Sequence, residues 1–406
     1  MTENWKQVPF HTLFRRIPKR TGYGDKELLS VYRDYGVIIK SDRDDNSNRP
    51  GESLDDYQLV KLGDLVLNKM KTWQGSLGVS AYEGIVSPAY FVYEPQGEFD
   101  SRYMHYLLRS QPSIDYYGAH SKGIRVNQWD LQPEYLDKMK VRFPHLESQQ
   151  RIADYLDRET AEIDAAVADL DKYMELLEVR RRVVITQAVL GVIGPGVGQS
   201  AYWDEVPLHT VASDGGLYVD GDWVESKDQD PNGSIRLTQL ADVGDSVFLD
   251  KSDRWVNEVK FDELQCTEVH PGDLLIARMP DPIARCTVLP DNLGYSVVTV
   301  VDVAILRPNA DWDNRFVMWA INSIPFRNDV ESRVSGSTRQ RISRSALGRT
   351  KLSKPSLSTQ QEISTYLDNE TAEIDSLIAD ATRLRDLLLK RRSVLVTEVV
   401  TGRKQV

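Results

Sequence analysis

Apolar residues spaced by alternating steps of four and three mark two long stretches of the chain. In the first they are Ile163, Val167, Leu170, Met174, Leu177, Val184 and Ala188. In the second they are Ile374, Ile378, Ala381, Leu388, Leu395 and Val399. This spacing predicts two helices, each with an apolar seam that needs a partner helix. Neither Gln149–Gly191 nor Gln360–Gly402 contains proline, and the only glycine in each is its last residue, where a helix C-cap belongs. A helix of roughly 30 residues is about 45 Å long. Shorter apolar runs lie outside these stretches. Gly63–Met70 and Gly272–Met279 each place a Gly-Asp turn before a buried strand, and Val297–Leu306, interrupted by Asp302, reads as another.

The two helical stretches are copies of each other. Gln149 aligns with Gln360 and Gly191 with Gly402 at a constant offset of 211 residues, so no gap is needed. Tyr-Leu-Asp, Glu-Thr-Ala-Glu-Ile-Asp and a pair of arginines recur in register. The repeat also reaches the flanking segments. Trp5–Leu13 is echoed by Trp203–Val211 through a shared Val-Pro-x-His-Thr, the Gly-Asp strands echo each other, and Asp100–Tyr106 resembles Asp313–Trp319. These echoes keep their order but not their spacing, which predicts two globular segments of one fold with different loops. The expected class is α/β (α+β): two β-rich domains alternating with two long helices in a pseudo-two-fold repeat. The expected boundaries are 1–145 and 201–356 for the domains, 146–191 and 357–406 for the helical regions, and 192–200 for a glycine-rich linker.

Charge gives the helices a direction. Each begins acidic, with Asp157, Glu159, Glu162 and Asp164 or Asp368, Glu370, Glu373 and Asp375. Each ends basic, with Arg180, Arg181 and Arg182 or Lys390, Arg391 and Arg392. Both ends suit the helix dipole. Parallel helices would set like charge against like, so antiparallel pairing is expected. Arg181 and Arg392 interrupt the seam at equivalent places, and Arg385 interrupts the second seam alone.

The chain has a formal net charge of −11, which argues against a surface built throughout for phosphate. A local basic groove remains open to it. Ser332–Lys354 holds seven basic residues and no acidic one. Within it, Ser337, Thr338, Arg339, Gln340, Arg341 and Arg344 offer donors suited to phosphates and base edges. The corresponding stretch of the first half carries Lys122, Arg125, Asn127 and Gln128. A second candidate surface follows the Gly-Asp strands: Lys69, Lys71 and Trp73 in the first half, Arg278 and Arg285 in the second. Trp73 could stack on a base or pack internally, and packing is the commoner fate of a lone tryptophan.

Catalytic signatures do not appear in the sequence. There is no G-x-x-x-x-G-K-S/T, no Asn-Pro-Pro-aromatic run, no G-x-S-x-G elbow and no Cys/His metal constellation. His11 and His209 sit in the repeated Val-Pro-x-His-Thr and read as structural. The two cysteines, Cys266 and Cys286, have no metal-like spacing and suit a reduced cytosol.

Two variable domains alternating with two near-identical helices resemble the specificity (S) subunit of Type I restriction–modification systems. The strongest residues are Leu146–Asp157 with Thr160–Asp164 and their second copy, Leu357–Asp375; the resemblance covers essentially the whole chain. One departure is Phe-Pro-His-Leu and Lys-Pro-Ser-Leu where that family usually has Pro-Pro-Leu. The resemblance implies that each globular domain is a target recognition domain for one half of a split double-stranded DNA site. It implies an antiparallel coiled coil that spaces the domains and docks two methyltransferase (M) subunits, with restriction (R) subunits joining the complex. It implies a non-catalytic bacterial or archaeal cytoplasmic chain with no cofactor of its own. S-adenosylmethionine would belong to the methyltransferase subunits, ATP and Mg to the restriction subunits. The rival readings are a coiled-coil interaction scaffold that does not bind DNA and an enzyme with an unrecognised site.

Overall fold

The computed structural model describes residues 5–17, 26–33, 35–42, 54, 56–123, 129–198, 203–280, 282–334 and 340–406. The chain divides into two compact units. The first comprises Met1–Asp171 with Arg383–Val406, and the second Lys172–Thr382. Each unit therefore holds one β-rich domain and a part of both long helices.

In the first unit a four-stranded antiparallel sheet has the order Phe14–Arg16, Tyr90–Pro95, Leu65–Asn68, Leu77–Val79. The second unit repeats that order with Leu217–Asp220, Val303–Arg307, Leu274–Ala277 and Cys286–Val288. The Gly-Asp strand is internal in both sheets. Gly63 and Gly272 take φ of +86° and +88°, and the buried Asp64 and Asp273 accept from the Lys61 and His270 amides across the turn. The Val-Pro echo is a strand in both units: Lys6–Pro9 pairs with Lys140–Phe143, and Asp204–Pro207 with Lys351–Lys354. His11 then donates to the Asp137 carbonyl at 3.0 Å and His209 to the Gly348 carbonyl at 2.8 Å. These histidines fasten loops. The apolar run 297–306 is two strands rather than one. Ser296–Thr299 pairs parallel with Ile235–Thr238, the chain turns at Val300–Asp302, and Val303–Arg307 joins the four-stranded sheet. The acidic break that the sequence shows at Asp302 is the turn.

The helices run from Leu146 to Val189 and from Leu357 to Val400, 44 residues each. At 1.5 Å per residue that is about 66 Å, longer than the seam alone predicts, because the Gln-rich starts are helical too. Both end in the same motif. Gly191 and Gly402 have φ of +66° and +75°. The amides of the next residues, Val192 and Arg403, reach back to the Gln187 and Glu398 carbonyls, the left-handed cap that favours glycine. A Cβ on Gly402 would lie 2.7 Å from the Trp5 ring, so the close approach excludes a side chain as well.

Within each unit the helices pair antiparallel. In the first, Arg392 binds Asp164 at 2.7 Å and Arg385 reaches Asp171 at 3.4 Å. In the second, Arg181 binds Asp375 at 3.0 Å and Arg180 reaches Glu370 at 3.7 Å. Arg181–Asp375 and Arg392–Asp164 are one interaction made twice, 211 residues apart. The arginines that interrupt the seam thus meet the acidic start of the partner helix. Pairs this exposed contribute about 0.2–1 kcal/mol each, so apolar packing carries most of the pairing. Ile163, Leu177, Val184, Ala188, Ile374, Ala381, Leu395 and Val399 are buried, and Val167, Leu170, Met174, Ile378 and Leu388 are half-buried. The core of the first unit continues from Phe10, Tyr93 and Tyr103 into Leu156, Val399 and Val400.

The first glutamine of each Gln-Gln pair fastens domain to helix. Gln149 is buried; its side chain accepts from the Asp100 amide at 2.9 Å and donates to the Pro144 carbonyl at 2.8 Å. Gln360 repeats this with the Asp313 amide at 2.9 Å and the Pro355 carbonyl at 3.0 Å. Asp100 and Asp313 in turn cap helices Ser101–Leu108 and Asn314–Ile321. Tyr106 and Trp319 on those helices donate to Asp157 and Asp368. Replacing Gln149 by leucine leaves a buried amide and a carbonyl without partners, which costs about 1–3 kcal/mol. Gln150→Leu, at the exposed neighbour, is expected to stay within about 0.5 kcal/mol. Urea unfolding of the two variants checks this; equal midpoints would remove the clamp role from Gln149.

Candidate nucleic-acid interface

The candidate residues lie beyond the carboxyl ends of the two Gly-Asp strands. In the first unit the chain leaves Leu65–Asn68 into a turn fixed by Asn68, whose side chain accepts from the Met70 amide and whose carbonyl accepts from Thr72 Oγ1 at 2.6 Å. Trp73 follows, half-buried. Its indole N–H donates to the Met70 carbonyl at 3.0 Å, and its ring lies 4.8 Å from that of Trp129. Trp73 therefore packs. Lys69 donates to the Pro88 carbonyl and lies 4.8 Å from the centre of the Phe91 ring. Lys71 is exposed. Lys122, also exposed, sits in the short strand Ser121–Lys122 that pairs with Asp130–Leu131, its ammonium 5.9 Å from the Tyr135 ring. The Thr72–Gln74 turn packs on Asp130–Leu131. The two candidate stretches of the first half thus come together. Arg125, Asn127 and Gln128 lie outside the described residues.

The second unit joins the corresponding stretches differently. Arg278 is 3% exposed. Its guanidinium donates to the Ile342 carbonyl at 3.3 Å and to the Val301 carbonyl, and it lies 3.2 Å from Asp220. Its backbone carbonyl accepts from the Ile342 amide at 3.0 Å. Burial pushes this guanidinium below its usual range, and the Asp220 charge opposes the shift. Arg278 lies inside the unit as the anchor of Gln340–Arg344, not on a DNA-facing surface as read from the sequence. Its echo Lys69 likewise fastens a neighbouring loop. Arg285 is also turned inward: it donates to the carbonyls of Val243, Leu240 and Pro282.

Gln340 is exposed, Ile342 is fully buried, and Ser343 caps the short helix Arg344–Gly348 through the Ala346 amide. Arg341 pairs with Asp302 at 3.1 Å. Arg344 lies 3.9 Å from Asp220 and donates to the Tyr218 carbonyl, while Tyr218 Oη donates to the Arg344 carbonyl at 2.9 Å. Burial, then the Asp220 charge, raises the Tyr218 hydroxyl above its ordinary range. Ser337, Thr338 and Arg339 lie outside the described residues.

The basic run is less bare in space than in sequence. Arg333, Arg341, Arg344, Lys351 and Lys354 meet Asp329, Asp302, Asp220, Glu205 and Asp311, all supplied from outside the run. Sequence reading missed Asp220 and Asp302, and the only signal was the acidic break at Asp302. It also missed Trp223, 68% exposed on an open cleft of about 490 Å³ that Gln229, Met279, Asp302 and Arg341 also line. Among the described residues no group of three or more His, Cys, Asp or Glu could hold a metal, and no helix is long and apolar enough to cross a membrane. Cys266 and Cys286 are buried free thiols, and burial pushes Cys266 up to about 11.

Fold and site together define a duplicated protein: two β-rich domains of one frame, each fastened by a buried glutamine to paired long helices, each carrying its own set of polar loops. No family model matches the chain. In sequence it is similar to the specificity subunit of the StySPI Type I restriction enzyme of Salmonella potsdam, 22% identical over 298 residues. That match takes in 69% of this chain and 62% of the relative, so it spans less than two thirds of the relative's length. In structure the chain resembles one from a study of complex assembly and conformational transition of the type I R-M system, with a TM-score of 0.73, 15% identity and 98% of both chains covered. It also resembles the HsdS subunit of Thermoanaerobacter tengcongensis, with a TM-score of 0.53, 14% identity and coverage of 99% of this chain and 98% of that one. The resemblance read from the sequence is therefore borne out: the chain is similar to Type I specificity subunits and has their fold.

Proposed function

We propose that this chain is the DNA sequence-recognition subunit of a Type I restriction–modification complex, each globular domain reading one half of a bipartite site. One observation carries the reading. In both units two stretches far apart in sequence converge beyond the same strand of the same sheet, and the side chains offered there differ. Lys71 and Lys122 stand at the surface in one, Gln340, Arg341 and Arg344 in the other. One frame with two loop sets is what two readers of different sequences require. The ion pairs of Arg341 and Arg344 do not oppose this, because partly exposed pairs are weak and a phosphate can replace the carboxylate. On this reading the paired helices space the half-sites and dock two methyltransferase subunits, and restriction subunits join that complex. The chain itself is non-catalytic and binds no cofactor; S-adenosylmethionine acts in the methyltransferase subunits, ATP and Mg in the restriction subunits.

The test is binding of the chain, assembled with its methyltransferase subunits, to cognate and scrambled duplexes over a range of salt. Gln340→Ala, Arg341→Ala and Arg344→Ala are compared. Losing a phosphate contact weakens all sequences alike and flattens the salt dependence by about one unit of slope. Losing a base contact costs about 1–3 kcal/mol at one position of the site. Wild-type affinity and slope in all three variants would return the segment to solvent. An interaction scaffold that ignores DNA would show no sequence preference in the unaltered complex either.

A further inference from the structure

In the second unit Arg341 and Asp302 meet on the cleft beside Trp223, Nη2 to Oδ1 at 3.1 Å, with their side chains 42% and 22% exposed. The fold fixes the backbone of both. Asp302 ends the turn after Ser296–Thr299: its carbonyl accepts from the Arg278 amide at 2.9 Å, and the Val303 amide donates to the Val300 carbonyl at 2.9 Å. Arg341 precedes the fully buried Ile342, whose amide donates to the Arg278 carbonyl at 3.0 Å. The backbone of one residue, Arg278, thus holds the segments of both partners of the ion pair.

The first unit has the same backbone position without the acid. There the Lys69 amide donates to the Ala89 carbonyl at 3.1 Å, as the Arg278 amide does to Asp302. Strand register agrees, because Asn68 stands opposite Tyr90 and Ala277 opposite Val303. The frame accepts alanine here, so the Asp302 carboxylate is not needed to hold the frame. What it does hold is the Arg341 guanidinium. A phosphate drawn to Arg341 would have to displace Asp302 and would then stand beside it, with Asp222 and Glu225 on the same cleft. Like charges so close oppose one another. An uncharged base edge meets no such opposition. A guanidinium carries several N–H donors in a rigid fork, so a carboxylate on one side can orient the fork toward acceptors on another.

We propose that Arg341 reads a guanine of the second half-site, and that Asp302 is its positioning residue, aiming the fork at the base and keeping it off the phosphates. Guanine presents two acceptors, O6 and N7, on its major-groove edge, the pattern a guanidinium fork matches. A phosphate contact needs neither a fixed orientation nor an acid beside the arginine. With Ala89 at the equivalent place, the first domain does not supply this carboxylate. An acid present in one copy of a shared frame and absent from the other suits a residue that sets sequence preference. This assignment rests on the DNA-recognition reading and gives one base contact within it.

The test uses the chain assembled with its methyltransferase subunits. Binding is measured over a range of salt to the cognate duplex, to scrambled duplexes, and to cognate duplexes carrying 7-deazaguanine, which lacks the N7 acceptor, at each guanine of the second half-site in turn. The unaltered complex should bind several-fold less tightly when one particular guanine is replaced. Arg341→Ala should lose about ten- to a hundredfold of the preference for that base pair, become indifferent to 7-deazaguanine there, and keep its salt slope. Asp302→Ala should unfold thermally much as the unaltered chain does and lose several-fold of the same preference. It should also bind scrambled duplexes more tightly and steepen the salt dependence by about one unit of slope, because the guanidinium then takes a phosphate. A merely structural Asp302 would move neither of these last two. Arg341→Ala that flattens the salt dependence with the preference intact would overturn the assignment in favour of a phosphate contact. Indifference of the unaltered complex to 7-deazaguanine, or a second half-site without a G·C pair, would overturn it and leave the DNA reading in place. An unaltered complex that does not distinguish cognate from scrambled duplexes would overturn it together with that reading.

Discussion

Exchanging residues 1–145 for the corresponding domain of a relative is expected to change one half of the recognised DNA sequence and leave the other half as it was. The exchange cuts where the fold permits. It carries both strands of the Lys6–Pro9 and Lys140–Phe143 pair and stops before the helix that begins at Leu146. The Asp100 amide held by Gln149 is a backbone group, so a graft of the same frame can rejoin the clamp. The loops that differ travel with the graft, and no residue of the second domain is altered. Each base pair newly read or no longer read changes affinity by about 1–3 kcal/mol, so exchanging a half-site moves discrimination by several powers of ten. Sequencing of the methylated sites made by the chimaeric complex reads the result. A change in both halves would mean that the domains do not read independently.

Arg278→Leu is expected to destabilise the second domain and to weaken its DNA discrimination together. It removes a buried guanidinium and leaves the Ile342 and Val301 carbonyls without that donor, while Asp220, partly exposed, keeps Arg344 3.9 Å away. A buried carbonyl left without its donor costs about 1–3 kcal/mol. Gln340–Arg344 hangs on Arg278 through Ile342, so discrimination at the second half-site should fall with stability, and the first half-site should still be read. Arg278→Lys keeps the charge without the fork and should fall between. Urea unfolding alongside binding to duplexes with one half-site scrambled separates anchor from ligand. Unchanged stability with uniformly weaker DNA binding would place Arg278 on the nucleic acid instead.

Much of the frame was legible because its causes are local or periodic. The seam positions repeat with the helix, Gly191 and Gly402 are the residues a left-handed cap favours, and the Gly-Asp turns need a positive φ followed by a capping carboxylate. The repeat doubled each of these signals. What could not be read was what the fold brings in from elsewhere. A count along Ser332–Lys354 finds no acid, yet Asp220 arrives from the end of a sheet strand and Asp302 from a turn. Lys69 and Arg278 look like surface cations beside strands, but their partners are carbonyls that only the folded loops supply. Gln149 and Gln360 carried part of the resemblance, whereas their work, holding the Asp100 and Asp313 amides, depends on a segment some fifty residues earlier.

Recognition of a split site by the two domains is tested by selecting duplexes from a randomised pool with the unaltered chain assembled with its methyltransferase subunits. The selected duplexes should carry two short fixed sequences, unlike each other, separated by an unread spacer of constant length. A single continuous sequence, a spacer of variable length, or no enrichment over the starting pool would contradict it.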